Sequence, residues 1–507
     1  ALQDVMPSDT VEVVNLGIAA TNSYAIADLA PEVAAQHPDA VLIYAGHNEY
    51  YGALGAGSTE SLGGFPAFVR LYLKLQHARV FLLLRNAVGT ALNAMGSGVD
   101  PASRQRRPSM METVVKDQRI TLGGATYERG KIQFESNLRH TIGVFRRAGI
   151  PVFVGSTPSN LRDLRPFGSV GHGPERSAAV TFDSALAALA RRDTARSHRL
   201  FSLARDLDVI RFRAPSEFNS LIKRVARTAG AQYVPVEEVF ASSARHGVPG
   251  NDLFLEHVHP NALGQALIGK TYVDVLLRAP FLSGRADVRR LSTWDDYVRR
   301  THLTTLDDRI AYHVVRTITT RWPFVPLKTQ QDYRRTYSPS GFVDSLAFRV
   351  STGELTWSAA KLSLAERFAS IGRPDLEAAE YLGLVDREPR SELAHRLAAR
   401  ALLHAGKTVQ ARQLLAIAYS IEPTAFSAYM LGVFSLQDRK LASGTALLEK
   451  SLKLAPDVPA VLYQLSLGYA MSGNAEKART LAERLAVVSP GYPGLAKWMS
   501  ALGVERR

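Results

Sequence analysis

Three short motifs in the first half of the chain hold the residue types that acyl-transfer chemistry needs. Asn15-Leu16-Gly17 follows the β-rich run Val11–Asn15, and Gly46-His47-Asn48-Glu49 follows the apolar run Asp39–Ala45. Glu256-His257-Val258-His259-Pro260-Asn261 leads into a helical pattern. Charge that builds on a carbonyl oxygen is stabilised by fixed hydrogen-bond donors, one being worth ~2.7–4 kcal/mol. Gly17 can offer a backbone N–H, since backbone without a Cβ approaches a ligand closely. Asn48 can offer a side-chain amide. A histidine such as His259 can serve as a general base, and a carboxylate such as Glu256 can fix its tautomer and stabilise the imidazolium. His257 is the rival base, and His47 reads as a wall of the pocket. Alone, each motif reads equally well as turn or helix-cap chemistry. What joins them is placement at strand ends, or in a loop that reaches those ends, where ligands sit in parallel α/β folds.

The elements that must position them alternate. Val11–Asn15 predicts a strand, Ala25–Gln36 a helix, and Asp39–Ala45 a strand buried on both faces. Glu128–Ala148 predicts a helix stopped by Gly149, and Ile150–Ser156 another buried strand. Asn219–Ala229, Gln232–Val236 and Asn261–Leu277 predict helix, strand and helix. This alternation argues for a parallel sheet with helices on both faces over residues 1–280. Two stretches interrupt it: 60–127, basic and leucine-rich, and 174–212, a helical pair. After the Ile150 strand come Asn160, Arg162 and Asp163, and Arg162 could anchor an anionic or polyhydroxyl substrate. A salt-bridged loop is the plainer reading of the same residues, and Arg211 and Arg213 around Phe212 read as structural.

Residues 281–350 read as a connector. From 351 to 507 the chain repeats: Pro389, Pro423, Pro456 and Pro490 are 34, 33 and 34 apart, with small residues recurring in step. That period resembles the tetratricopeptide (TPR) family, in which helix pairs stack into a solenoid. Repeats fall at about 358–389, 392–423, 425–456 and 459–490, with a capping helix at 491–503. The resemblance implies a groove for an extended peptide or partner helix.

In residues 1–280 the motifs resemble the SGNH, or GDSL-type, hydrolases. Gly17 matches that family's Asn-x-Gly glycine, Asn48 the asparagine of its third block and His259 its catalytic histidine. Glu256 stands at the acidic position before it, and Glu49 and Glu256 are glutamate where the family has aspartate. The phrases Gly46–Tyr50, Ser159–Asp163 and Arg211–Arg213 look like a subgroup fused to TPR repeats. The resemblance implies a three-layer, flavodoxin-like α/β domain followed by an all-α TPR solenoid. It also implies a serine esterase acting on an ester substrate such as an acylated carbohydrate or lipid, with His47, Asn160 and Arg162 near the substrate. No Gly-Asp-Ser block precedes Asn15, so the expectation is a chain cut at its amino end, lacking the first strand and the nucleophile and inactive as it stands. Ser23 follows the wrong strand for that role. The alternative is a catalytically dead SGNH-like domain serving a TPR interaction scaffold.

Composition frames these readings. The 507 residues are 46% hydrophobic and 21% charged, which excludes wholesale disorder. With no cysteine, disulfides, thiolate metal sites and a cysteine nucleophile are excluded. The net charge of +14 admits nucleic acid or an anionic surface, but no run of like charge exceeds Arg104–Arg107, and an arginine-rich helical background accounts for it. Neither a metal nor a cofactor is expected, since His257 and His259 two apart in a loop are a poor metal signal. The sequence leaves the compartment open, including export or anchoring through a missing amino-terminal segment.

Overall fold

The computed structural model describes residues 1–59, 65–76, 111, 115–282 and 284–504. It divides into two compact units, Ala1–Val298 with Val315–Tyr337 and Arg299–Val314 with Ser338–Arg507. No described helix is long and apolar enough to cross a membrane. Most of the expected insertion at 60–127 lies outside the described residues; within it a helix spans Pro66–Gln76.

The first unit is built on three short parallel strands in the order β1 (Val41–Tyr44), β2 (Val152–Gly155), β3 (Gln232–Val234). Val41 pairs with Val152, and Phe153 with Gln232. Side chains alternate across the pleat. Ile43, Val152 and Val154 join one core cluster, covered by α1 (Ser23–Ala34), α2 (Ala125–Arg147) and, after the helical pair α3 (Ala178–Ala190) and α4 (Thr194–Leu207), by α5 (Ser216–Ala229). Phe153, Val234 and Tyr44 face a second cluster, which holds Tyr272 and Leu276 of α6 (Ala262–Leu276). Helices therefore lie on both faces of the sheet, and 174–212 holds the helical pair α3 and α4.

One predicted strand does not form. Val11–Asn15 is not assigned to a strand, and Val13 is 76%, Val14 69%, Leu16 50% and Ile18 69% exposed. β-branched residues favour a pleated surface only where neighbours exist to pack on, and no described strand lies against this run. β1 carries the same mark. It was expected to be buried on both faces, yet Leu42 is 46% exposed, because β1 ends the sheet among the described residues.

The second unit holds a TPR-like solenoid of paired helices. The pairs are α7 (Trp357–Ser370) with α8 (Pro374–Arg387), α9 (Glu392–His404) with α10 (Thr408–Ile421), α11 (Ala425–Gln437) with α12 (Leu441–Leu454), and α13 (Pro459–Met471) with α14 (Ala475–Val488); α15 (Leu495–Ala501) closes it. The repeat is legible in two columns of small buried residues. Ala365, Ala399, Gly432 and Ser466 recur in the first helices, and Ala378, Ala411, Gly444 and Ala478 in the second. In the third pair the reason is steric: a Cβ on Gly432 would sit 2.8 Å from Leu448 Cγ and 3.1 Å from the Gly444 carbonyl oxygen. The turn inside each pair needs a left-handed residue, as helix ends commonly do. Gly372, Gly406 and Gly473 supply it at φ 69, 73 and 80°, and Arg439 takes the same place at 61°. Within this unit, Lys361 is fully buried and satisfied by Asp307 at 2.7 Å, Glu380 at 2.7 Å and Thr304 Oγ1 at 2.8 Å.

Candidate functional site

The loop that carries Glu256, His257 and His259 is fixed from outside by Asn160. Its amide nitrogen donates to the Glu256 carbonyl at 3.0 Å, and its backbone N–H donates to the His257 carbonyl at 3.0 Å. The loop closes on itself through Leu255 N–H to the His259 carbonyl, 2.8 Å. At its end the Asn261 side chain caps α6 by accepting from Gly264 N–H, 3.0 Å, so the Pro260-Asn261 reading as a helix start holds. Inside this frame the Glu256 carboxylate is 4% exposed. One oxygen accepts from His259 N–H at 2.8 Å and meets His259 Nδ1 at 2.5 Å. The other meets His257 Nδ1.

The two imidazoles differ in environment. His257 is buried among Phe167, Phe212 and Phe324. Burial, with the charges of His259, His47 and Arg213, pushes its pKa well down, so the ring is neutral. His259 keeps 65% of its side chain exposed. With Nδ1 turned to the carboxylate, the Nε2 edge of His259 is the free one. The three donor atoms lie within 4.8 Å of one another, which is metal-ligand spacing, yet the carboxylate already pairs with both imidazoles. Glu256 thus orients two histidines at once, and sequence reasoning assigned it only one.

His47 lies half-buried near this loop, with its Nε2 atom buried. Its Nδ1 accepts from Ala214 N–H at 3.1 Å, which places the proton on Nε2, and Nε2 finds no partner in hydrogen-bond geometry among the described residues. Burial first, then the nearby Arg205 and His259, lower its pKa to about 3. The expected wall residue is a neutral ring fixed by backbone.

The remaining expected residues make hydrogen bonds or ion pairs within the fold. Gly17 lies in the exposed 11–18 run, and its N–H, expected to face a substrate, donates to Asn15 Oδ1 at 2.9 Å. A turn at Asn15 consumes the donor. The Asn48 amide donates to the Thr21 carbonyl at 3.2 Å and ties down the segment leading to α1. Arg162, expected as a substrate anchor, spends its guanidinium on Asp163 (2.9 Å), Asp252 (2.7 Å) and the Arg245 carbonyl (2.8 Å). That is the salt-bridged loop. Arg211 and Arg213 are buried, on the Ile120 and Asp206 carbonyls and on Asp208 respectively, and are structural.

A network the sequence did not announce lies behind Asn48. Glu49, 1% exposed, accepts from Ser23 N–H at 3.0 Å and Ser23 Oγ at 2.6 Å, and from the Gln133 amide. Asn137 donates to Ser23 Oγ at 2.9 Å, and Arg70 to Asn137 at 2.6 Å. Burial raises the Glu49 pKa to about 7 against the hydrogen bonds from Ser23 and Gln133. Glutamate in place of aspartate in the Gly-His-Asn-Glu block was the available signal: the longer arm reaches the start of α1. Ser23 is a buried helix-start residue.

The chain matches no known family model and no curated protein. Its solved structural neighbours include a MamA protein (16% identity, 29% of this chain, 80% of that one, TM-score 0.27). They also include MamA 41-end from Desulfovibrio magneticus RS-1 (18%, 29%, 81%, 0.26) and TTC0263, a thermophilic TPR protein in Thermus thermophilus (19%, 32%, 91%, 0.25). The structure itself corrects the expectation of an SGNH-type ester hydrolase. The sheet has three short strands, the Gly17 and Asn48 donors are consumed internally, and no described hydroxyl hydrogen-bonds to His259.

Proposed function

We propose that this chain is an interaction scaffold whose TPR solenoid binds an extended, acidic segment of another protein around an apolar anchor. The observation that supports it is a cleft of about 510 Å³ between α12, α13 and α14. Leu452, Leu465 and Leu481 form its apolar part, and Lys453, Lys477 and Arg484 line it with positive charge, beside Glu449 in the lining and Asp457, which pairs with Arg484 at 2.7 Å. An apolar side chain of the partner gains by leaving water there, and its flanking carboxylates meet charge-assisted donors. In this reading the first unit is an SGNH-like, flavodoxin-like domain without turnover. Glu256, His259 and Asn48 then hold loops in place, consistent with their hydrogen bonds.

The test is binding of acidic-apolar peptides on an array, for the full chain and for a Lys453→Glu/Lys477→Glu/Arg484→Glu variant. Expected is selective, salt-sensitive binding that falls by an order of magnitude or more in the variant. Equal binding of acidic and basic peptides, or an unaffected variant, would sink the proposal.

A further inference from the structure

The loop before α6 folds back on itself. Leu255 N–H donates to the His259 carbonyl at 2.8 Å, Asn261 N–H donates to the Leu253 carbonyl at 3.0 Å, and an antiparallel bridge joins Phe254 to Pro260. The fold-back gathers what the linear spacing leaves apart: a carboxylate oxygen of Glu256 and a ring nitrogen each of His257 and His259 lie within 4.8 Å of one another. Two histidines two apart are a poor metal signal by themselves, but the carboxylate completes a ligand set. That carboxylate is also short of charge. It is 4% exposed, and among the described residues neither Lys nor Arg pairs with it; its ion-pair partners there are the two imidazoles. A buried carboxylate calls for a counter-charge.

We propose that this loop binds a divalent transition-metal ion, Zn²⁺ above all, through the Glu256 carboxylate and the Nδ1 atoms of His257 and His259. Two histidines and a glutamate are an established zinc ligand set, with water in the fourth position. Imidazole ligands favour zinc over Mg²⁺ and Ca²⁺, which take oxygen. Without the ion, the lone pairs that would coordinate it are the ones paired between carboxylate and rings. Bonds of ~2.0–2.2 Å in a tetrahedron set ligand atoms about 3.4 Å apart. Glu256 Oε1 and His259 Nδ1, now at 2.5 Å, therefore part by about an ångström as the ion enters. A neutral ring keeps its one proton, moved from Nδ1 to Nε2. The frame around the ligands stays: Oε1 accepts from His259 N–H at 2.8 Å, and Asn160 holds the Glu256 and His257 carbonyls at 3.0 Å each. Outer hydrogen bonds of this kind aim the ligands and strengthen binding. The positive charge of Arg213, which reaches His257, is offset by Asp208 at 3.1 Å. The site lies in the first unit and does not depend on the TPR cleft.

Calorimetric titration of the chelator-treated full chain with zinc chloride tests it, with Co²⁺ as a spectroscopic probe of the same site. The expected result is one Zn²⁺ per chain, bound in the micromolar range or tighter, and a visible Co²⁺ absorption of the four-coordinate kind. His259→Ala changes a side chain that is 65% exposed, so it should keep the parent far-UV circular dichroism while losing roughly tenfold or more in affinity. Glu256→Gln, which keeps the size and removes the charge, should lose as much. His172→Ala, at an exposed histidine elsewhere in the unit, should bind zinc as the parent does. Zinc uptake that does not saturate overturns the proposal, and so does binding of unchanged strength in the His259→Ala chain.

Discussion

Replacing Glu49 with glutamine should make the packing of α1 on the sheet insensitive to pH. In the folded chain the Glu49 carboxyl titrates at about 7, against 4.5 for an ordinary glutamate, because it is buried with only neutral donors beside it. The folded value is the higher one, so the native state holds the proton more tightly than the unfolded state. The stability this provides is full below pH 4.5, falls as pH rises through the window to about 7, and is lost above it. At 1.36 kcal/mol per pH unit the shift corresponds to about 3 kcal/mol. Glutamine keeps an oxygen for Ser23 and carries no charge to desolvate, so it should be the more stable side chain above pH 7 by up to that amount. Below pH 4.5 the two should lie within ~1 kcal/mol, the scale of one hydrogen bond. Amide hydrogen exchange of Ser23–Ala34, corrected for its intrinsic pH dependence, reads this locally. Glu237, also raised by burial, contributes equally to both chains and cancels in the difference. A parent protein with flat α1 protection across the window, or a Glu49→Gln variant with the same fall, would refute the reasoning.

In the solenoid, Gly432→Ala should cost about 1–3 kcal/mol, because its Cβ would meet Leu448 and the Gly444 carbonyl across the helix pair. Gly406→Ala, where nothing lies within 4 Å, should cost only the ~1–2 kcal/mol of a left-handed backbone. Denaturant unfolding followed by circular dichroism compares them, and an unperturbed Gly432→Ala would contradict the close approach. Lys361→Met should destabilise the second unit by about 3–5 kcal/mol, since Asp307 and Glu380 would stay buried without their cation. A loss below ~1 kcal/mol in the same assay would show that water reaches the pair.

Period and composition alone determined the solenoid. A TPR helix pair is held by neighbours close in sequence, so the 34-residue step, the recurring small residues and the terminal prolines are visible without a structure. The α/β alternation was legible for the same reason in α1, α2, β2, α5 and α6, where apolar periodicity sets each element locally. Tertiary structure decided what periodicity could not. Val11–Asn15 has the composition of a strand, but a strand exists only where a second strand shares its hydrogen bonds, and no described strand pairs with this run. Gly17, Asn48 and Arg162 are the residue types of a binding site, yet their donors are spent on Asn15, Thr21, Asp163 and Asp252. A polar group's role depends on which acceptor reaches it first. Glu49 was visible only as one methylene more than expected, and that methylene brings its carboxylate to Ser23 and Gln133, from helices before and after it in the chain.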